Sequence, residues 1–212
     1  MDLFDDVTAQ RERLIALLST FNEEQWNTRS LCSAWTVHDV LAHLVMALST
    51  PLRTFAVAMV RSKGNFDVAN RKLTAKVAAS SHEELLTRYR ELASSQFTPP
   101  GLGAIAPLTD IVGHTIDICA PLRIDPPFGD LNLRPILEFL ASDRALKGFV
   151  TSPLPNVQMT ATDLDWQAGR GPEVRAPARA LVASMLSRRP YVHEFEGPGT
   201  EIFEAWVAQT KA

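Results

Sequence analysis

Over its first 150 residues or so the chain repeats one local pattern: a polar helix-start signal, apolar residues at helical spacing, then a Pro or Gly break. Leu3, Val7, Leu14, Leu17, Leu18 and Phe21 fall near helical spacing, with Gln10, Arg11 and Glu12 on another face. Thr36 with Asp39 three residues on is a Ser/Thr-x-x-acid helix start, and VLAHLVMAL then supplies a largely buried helix. Pro51 should kink or break that helix, because it lacks an N–H and collides with the preceding turn. Ser81 with Glu84 repeats the start signal ahead of LLTRYRELA. A Pro/Gly-rich loop, TPPGLGAIAP, precedes an apolar helix expected from Leu108 to Cys119 and stopped by Pro121. RPILEFLASDRALKG reads as one more helix, with Pro135 in its first turn and Gly148 just past its end. Four or five such helices joined by loops predict a mainly α chain built on an antiparallel bundle.

The period changes after Gly148. In NVQMTATDLDW, Val157, Met159 and Ala161 alternate with Gln158, Thr160 and Thr162, a strand period. GRGPEVRAP reads as turn chemistry, APARALVASMLSRR as a helix and GTEIFEAWVAQ as a short terminal helix. The expected division is therefore residues 1–150 as helical bundle and 151–212 as a small α/β region.

Charge and cysteine usage exclude several classes. Lys plus Arg number 21 against 24 Asp plus Glu, with no basic stripe of the kind duplex binding demands, so neither nucleic acid nor a transcriptional role is expected. The segment MDLFDDVTAQRERL has no basic region followed by an apolar one, and no apolar run is long enough to span a bilayer. The reading is a cytoplasmic protein without a membrane partner. The two cysteines, Cys32 and Cys119, have no paired spacing, which argues against a disulfide framework and a Cys-based metal site.

TDIVGHTIDICAPL carries the chemistry. Asp110 and His114 are four apart, so on a helix both side chains lie on one face, one turn above the other, where carboxylate and imidazole can share a cation. A third ligand must come from another helix, and His43, set among Leu41, Leu44 and Val45, is the candidate. His38 is a poorer one, five residues earlier and in the first turn. On spacing alone, hydrogen-bonded core histidines and solvated Asp110 and Asp117 fit as well; Asp117 could also orient His114 from behind. Cys32 reads as a small buried hydrophobe rather than a nucleophile, and Trp35 and Trp166 as packing anchors.

Three stretches share a resemblance. RSLCSAWTVHDVLAHLV, DIVGHTIDICAPLRI and ATDLDWQAGRGPEVRAPARALVASMLSRR are similar, in that order, to segments of the mycothiol-dependent maleylpyruvate isomerase family, a branch of the DinB-like superfamily of actinobacterial type. The resemblance implies an up-and-down four-helix bundle, a divalent metal held by two His and one acid, and mycothiol as the thiol cosubstrate. Carried onto this chain, His43 is the first ligand, Asp110 the acid and His114 the last, with zinc as the metal and nickel as the alternative. Asp110 stands where the isomerase has Glu, one methylene longer, so direct and water-bridged ligation both remain open. Thr115, Ala176 and Ser187 stand where Gly is usual, and Arg53, Arg175 and Arg179 are the candidates for a thiol-binding cation. The implied activity is a transferase or isomerase in which metal-bound thiolate attacks a small electrophile. The competing reading is a non-catalytic metal- or small-molecule-binding bundle with a degenerate site. Assembly is open, a homodimer included.

Overall fold

The computed structural model describes residues 2–32, 34–99 and 101–209, which leaves Ser33 of SLCSAW and Pro100 of the TPPG loop outside the described residues. The protein is mainly α-helical with one small sheet. It forms two compact units, residues 1–98 with 117–128, and residues 99–116 with 129–212.

The first unit is a helical bundle. Helix α1 (Leu3–Leu18) starts on Asp2, whose carboxylate accepts from Phe4 N–H, and α2 (Glu23–Asn27) carries a full Asn22/Gln25 capping box. Both expected capping boxes form: Thr36/Asp39 opens α3 (Val37–Ser49) and Ser81/Glu84 opens α6 (His82–Glu91). Two further helices, α4 (Leu52–Arg61) and α5 (Phe66–Val77), lie between them. Helix α3 packs against α5 and α6, and α1 against α6. Pro51 breaks the chain as expected, and α4 leaves α3 at 118°. Among the described residues no single helix is long and apolar enough to cross a membrane.

One face of α1 differs from its periodicity. Gln10 and Arg11, expected on the polar side of α1, are buried. Arg11 Nη1 donates to the carbonyls of Ala93 (3.0 Å) and Ser95 (2.7 Å), just past the end of α6, and Gln10 Nε2 donates to Pro127 O. A buried guanidinium is tolerated because it satisfies carbonyls that the helix end leaves without donors.

The long helix α7 (Ile105–Leu122) contributes its first residues to the second unit and those from Asp117 onward to the first. It extends beyond the expected stop, with Pro121 inside its last turn; the turn ends at Arg123, whose φ is +56°. The single helix expected over RPILEFLASDRALKG is instead α8 (Arg134–Leu140) followed by a 3₁₀ turn, Asp143–Lys147. Ser142 is extended there, and its hydroxyl donates back to Phe139 O at 2.6 Å, competing with the helical ladder.

The rest of the second unit holds a sheet of order β2-β1-β3, from β1 (Gln158–Ala161), β2 (Gln167–Gly169) and β3 (Glu173–Ala176). The stretch expected as turn chemistry thus contains a strand, paired in parallel with β1. Its EVRA segment alternates too briefly to outweigh the Gly and Pro that precede it. Met159 opposes Val174 and Ala161 opposes Ala176, all four buried. Helix α9 (Ala178–Met185) packs against β1 and α8, and α10 (Thr200–Gln209) against β3.

Gly169 has φ +85°, and a Cβ there would collide with the carbonyl oxygen of Val157. Gly103 also has positive φ, but its Cβ would meet open space. Gly103→Ala should cost about 1–2 kcal/mol, the left-handed penalty alone, and Gly169→Ala clearly more. Urea unfolding of the two variants measures the difference.

Candidate metal centre

One candidate ligand, His43, is set in the first unit. The capping box places Thr36 at the start of α3, with Asp39 N–H donating to Thr36 Oγ1 (3.2 Å) and Thr36 N–H to Asp39 Oδ2 (2.9 Å). That start sets the rotational phase of the helix, and Val40 to Met46 are buried without interruption, His43 among them. The Trp35 ring lies on the His43 ring, centroids 4.9 Å apart and planes at 30°. Trp35, read as a packing anchor, is thus an aromatic wall for this imidazole.

Trp35 is held by its own loop. Ser30 donates to Trp35 O from both its backbone N–H and its hydroxyl, each at 3.0 Å, and Trp35 N–H donates to Cys32 O. The loop is tied in turn to α7 at one residue, Asp117. Pro121 has no N–H to offer the carbonyl four residues back, and Leu31 N–H donates to that Asp117 carbonyl instead, at 3.1 Å. The Cys32 thiol donates to the fully buried Asp117 carboxylate at 3.1 Å.

His38 lies elsewhere. Its Nε2 is 3.0 Å from Ala78 O, and its ring meets Trp26 and His82 edge-on. Cys32 and Cys119 are both free thiols. Burial, with Asp125 as a lesser cause, pushes the Cys119 thiol from an ordinary 9.0 to about 12.

The Asp110–His114 pair lies in the second unit, on the N-terminal part of α7. Asp110 Oδ1 is 3.5 Å from His114 Nε2, and their side chains are 38% and 10% exposed. The expected i, i+4 pair therefore forms, opening toward solvent on the acid's side. Two atoms bound to one tetrahedral cation at ~2.0–2.1 Å stand about 3.3 Å apart. The pair fits that spacing, and imidazole with carboxylate suits a borderline divalent cation.

Sequence reasoning missed one neighbour. Gly113, beside His114, has no side chain, and a Cβ there would sit 3.1 Å from Leu186 and 3.8 Å from the Arg188 guanidinium carbon. Ser187 takes φ +67°, ending α9 so that Arg188 N–H returns to Ala183 O at 2.8 Å and its guanidinium reaches α7. A Gly one residue before a candidate ligand was the available signal. Of the suggested cations, Arg53 lies on α4, Arg175 pairs with Glu196, and Arg179 pairs with Glu194 beneath Tyr191.

Comparison with known proteins agrees with the motifs. Residues 7–96, a segment containing His43 and Trp35, match the family model of the mycothiol maleylpyruvate isomerase N-terminal domain. The crystal structure of the mycothiol-dependent maleylpyruvate isomerase superposes with a TM-score of 0.63 at 13% identity, covering 94% of this chain and 92% of that one. A histidine-to-alanine mutant of that isomerase gives 0.52 at 15% identity with the same coverage. At these identities the likeness is one of fold. Among curated proteins no significant match occurs.

Three outcomes follow for the thiols. Because Cys119 is held protonated, native protein at neutral pH should be alkylated at Cys32 alone, with Cys119 reacting only after unfolding; mass spectrometry of the labelled peptides decides. A folded-state pKa above the unfolded one also means that the contribution of Cys119 to stability is complete below pH 9.0 and is lost as pH rises toward about 12. Asp117→Asn should speed alkylation of Cys32, since the carboxylate that engages its thiol in a hydrogen bond is gone.

Proposed function

We propose that this protein is a metal-dependent transferase or isomerase that uses a low-molecular-weight thiol, mycothiol by family, to attack a small electrophile. His43, His114 and Asp110 hold the cation, zinc or a similar borderline ion. The observation that carries this reading is the Asp110–His114 pair, spaced for one ion on a chain whose N-terminal half matches the isomerase domain. The 3.5 Å separation favours Asp110 as a direct ligand despite its shorter side chain.

When bound, the cation lowers the thiol's pKa so that thiolate is present at neutral pH. The chain's residues supply the setting. Trp35 fixes the plane of the His43 ring and keeps water from its face. The Asp117 anchor holds the loop that carries Trp35. The Arg188 guanidinium lies against Gly113 of α7 and donates to the carbonyl of Leu186. No cysteine of the chain serves as nucleophile: Cys119 is buried and protonated, and the Cys32 thiol is engaged with Asp117.

The second reading, a binding protein with a degenerate site, is favoured by Asp110 where the isomerase has Glu. Elemental analysis and turnover separate the two. His43→Ala should lose metal and thiol-dependent turnover together while circular dichroism stays unchanged, and Asp110→Ala should lose metal as a direct ligand's removal would; retention above that of either His→Ala variant would mean that the carboxylate binds through water. Activity undiminished in His43→Ala would end the proposal. Thiol-independent hydrolysis would point to metal-activated water instead.

A further inference from the structure

We propose that the α4–α5 hairpin of the first unit is a docking surface for an anionic lipid bilayer. Helix α4 has no buried residue, and its exposed arc carries two adjacent stripes. Leu52, Ala56 and Val60, four apart, make an apolar stripe, with Leu52 62% and Val60 79% exposed. Arg53, Val57 and Arg61 make the next, one residue further round. Arg53 and Arg61 face Lys72 and Lys76 of α5 across a groove of ≈630 Å³ that no carboxylate lines, with Val57, Ala58, Leu73 and Ala75 between them. Phe66, 56% exposed, adds an aromatic ring at the start of α5.

The charge is concentrated here. Residues 52–77 hold six exposed cations (Arg53, Arg61, Lys63, Arg71, Lys72 and Lys76) against one carboxylate, Asp67, on a chain of net charge −3. No ion pair joins any of the six to a carboxylate among the described residues. Long cationic side chains flanking an exposed apolar stripe are the composition of a helix that lies in a membrane interface: the stripe enters the acyl boundary and the cations reach lipid phosphates. A second copy of the chain fits poorly, because it would bring six more cations against these six. Nucleic acid would leave Leu52, Val60 and Phe66 in water. Lying on a surface requires no span, so it does not depend on any single described helix being long and apolar enough to cross a membrane.

The full chain should float with vesicles of phosphatidylcholine and phosphatidylglycerol but not with phosphatidylcholine alone. Arg53→Gln with Arg61→Gln should weaken partitioning about thirtyfold, and Leu52→Ser with Val60→Ser should weaken it comparably; exposure of all four positions keeps the fold intact. A polarity-sensitive dye on Val60→Cys should shift to the blue on anionic vesicles. Failure to bind anionic vesicles overturns the proposal, as does equal binding to neutral ones. Insensitivity to the Leu52/Val60 change would mean charge adsorption only. Sedimentation showing that Leu52 and Val60 hold a dimer would assign the surface to a second copy.

Discussion

Pro121 withholds one hydrogen bond from α7, and the setting of His43 depends on what replaces it. The Asp117 carbonyl accepts from Leu31, its carboxylate accepts from Cys32, and through the loop between Ser30 and Trp35 these bonds set the indole against His43. A buried carbonyl left without a donor costs on the order of 1–3 kcal/mol, so the loop's position is coupled to the stability of the helix end. Pro121 is therefore less a helix terminator than a residue that leaves a backbone acceptor available to a distant segment.

The second unit uses backbone chemistry for a similar purpose. Gly113 removes a side chain, Ser187 turns the chain through the left-handed region, and the two together let the Arg188 guanidinium lie against Gly113 of α7. Ser187 bears the cost that Gly avoids at such a position, on the order of 1–2 kcal/mol.

What the sequence made legible was local. The Thr36–Asp39 and Ser81–Glu84 boxes, the break at Pro51, the period change ahead of β1 and the Asp110–His114 pair each depend on residues within a few positions of one another. The readings that failed depend on distant partners. Arg11 is buried because Ala93 and Ser95 present carbonyls to it, and α7 continues through Pro121 because Leu31 supplies a donor. β3 is a strand because β1 pairs with it. Arg188 was overlooked because its placement follows from a backbone angle and a missing Cβ, neither of which has a period. Motif resemblance reached further than periodicity: it named the family that residues 7–96 match and the fold that the isomerase structures share.

Thiol activation by a cation between two imidazoles and a carboxylate is the central claim, and cobalt substitution tests it most directly. Protein loaded with Co²⁺ should show ligand-field bands of a low-coordinate site with nitrogen and oxygen donors. Adding mycothiol should produce an intense near-ultraviolet band from thiolate-to-cobalt charge transfer, absent in His43→Ala and in His114→Ala. A cobalt spectrum unchanged by thiol, or one that survives loss of both histidines, would contradict the account.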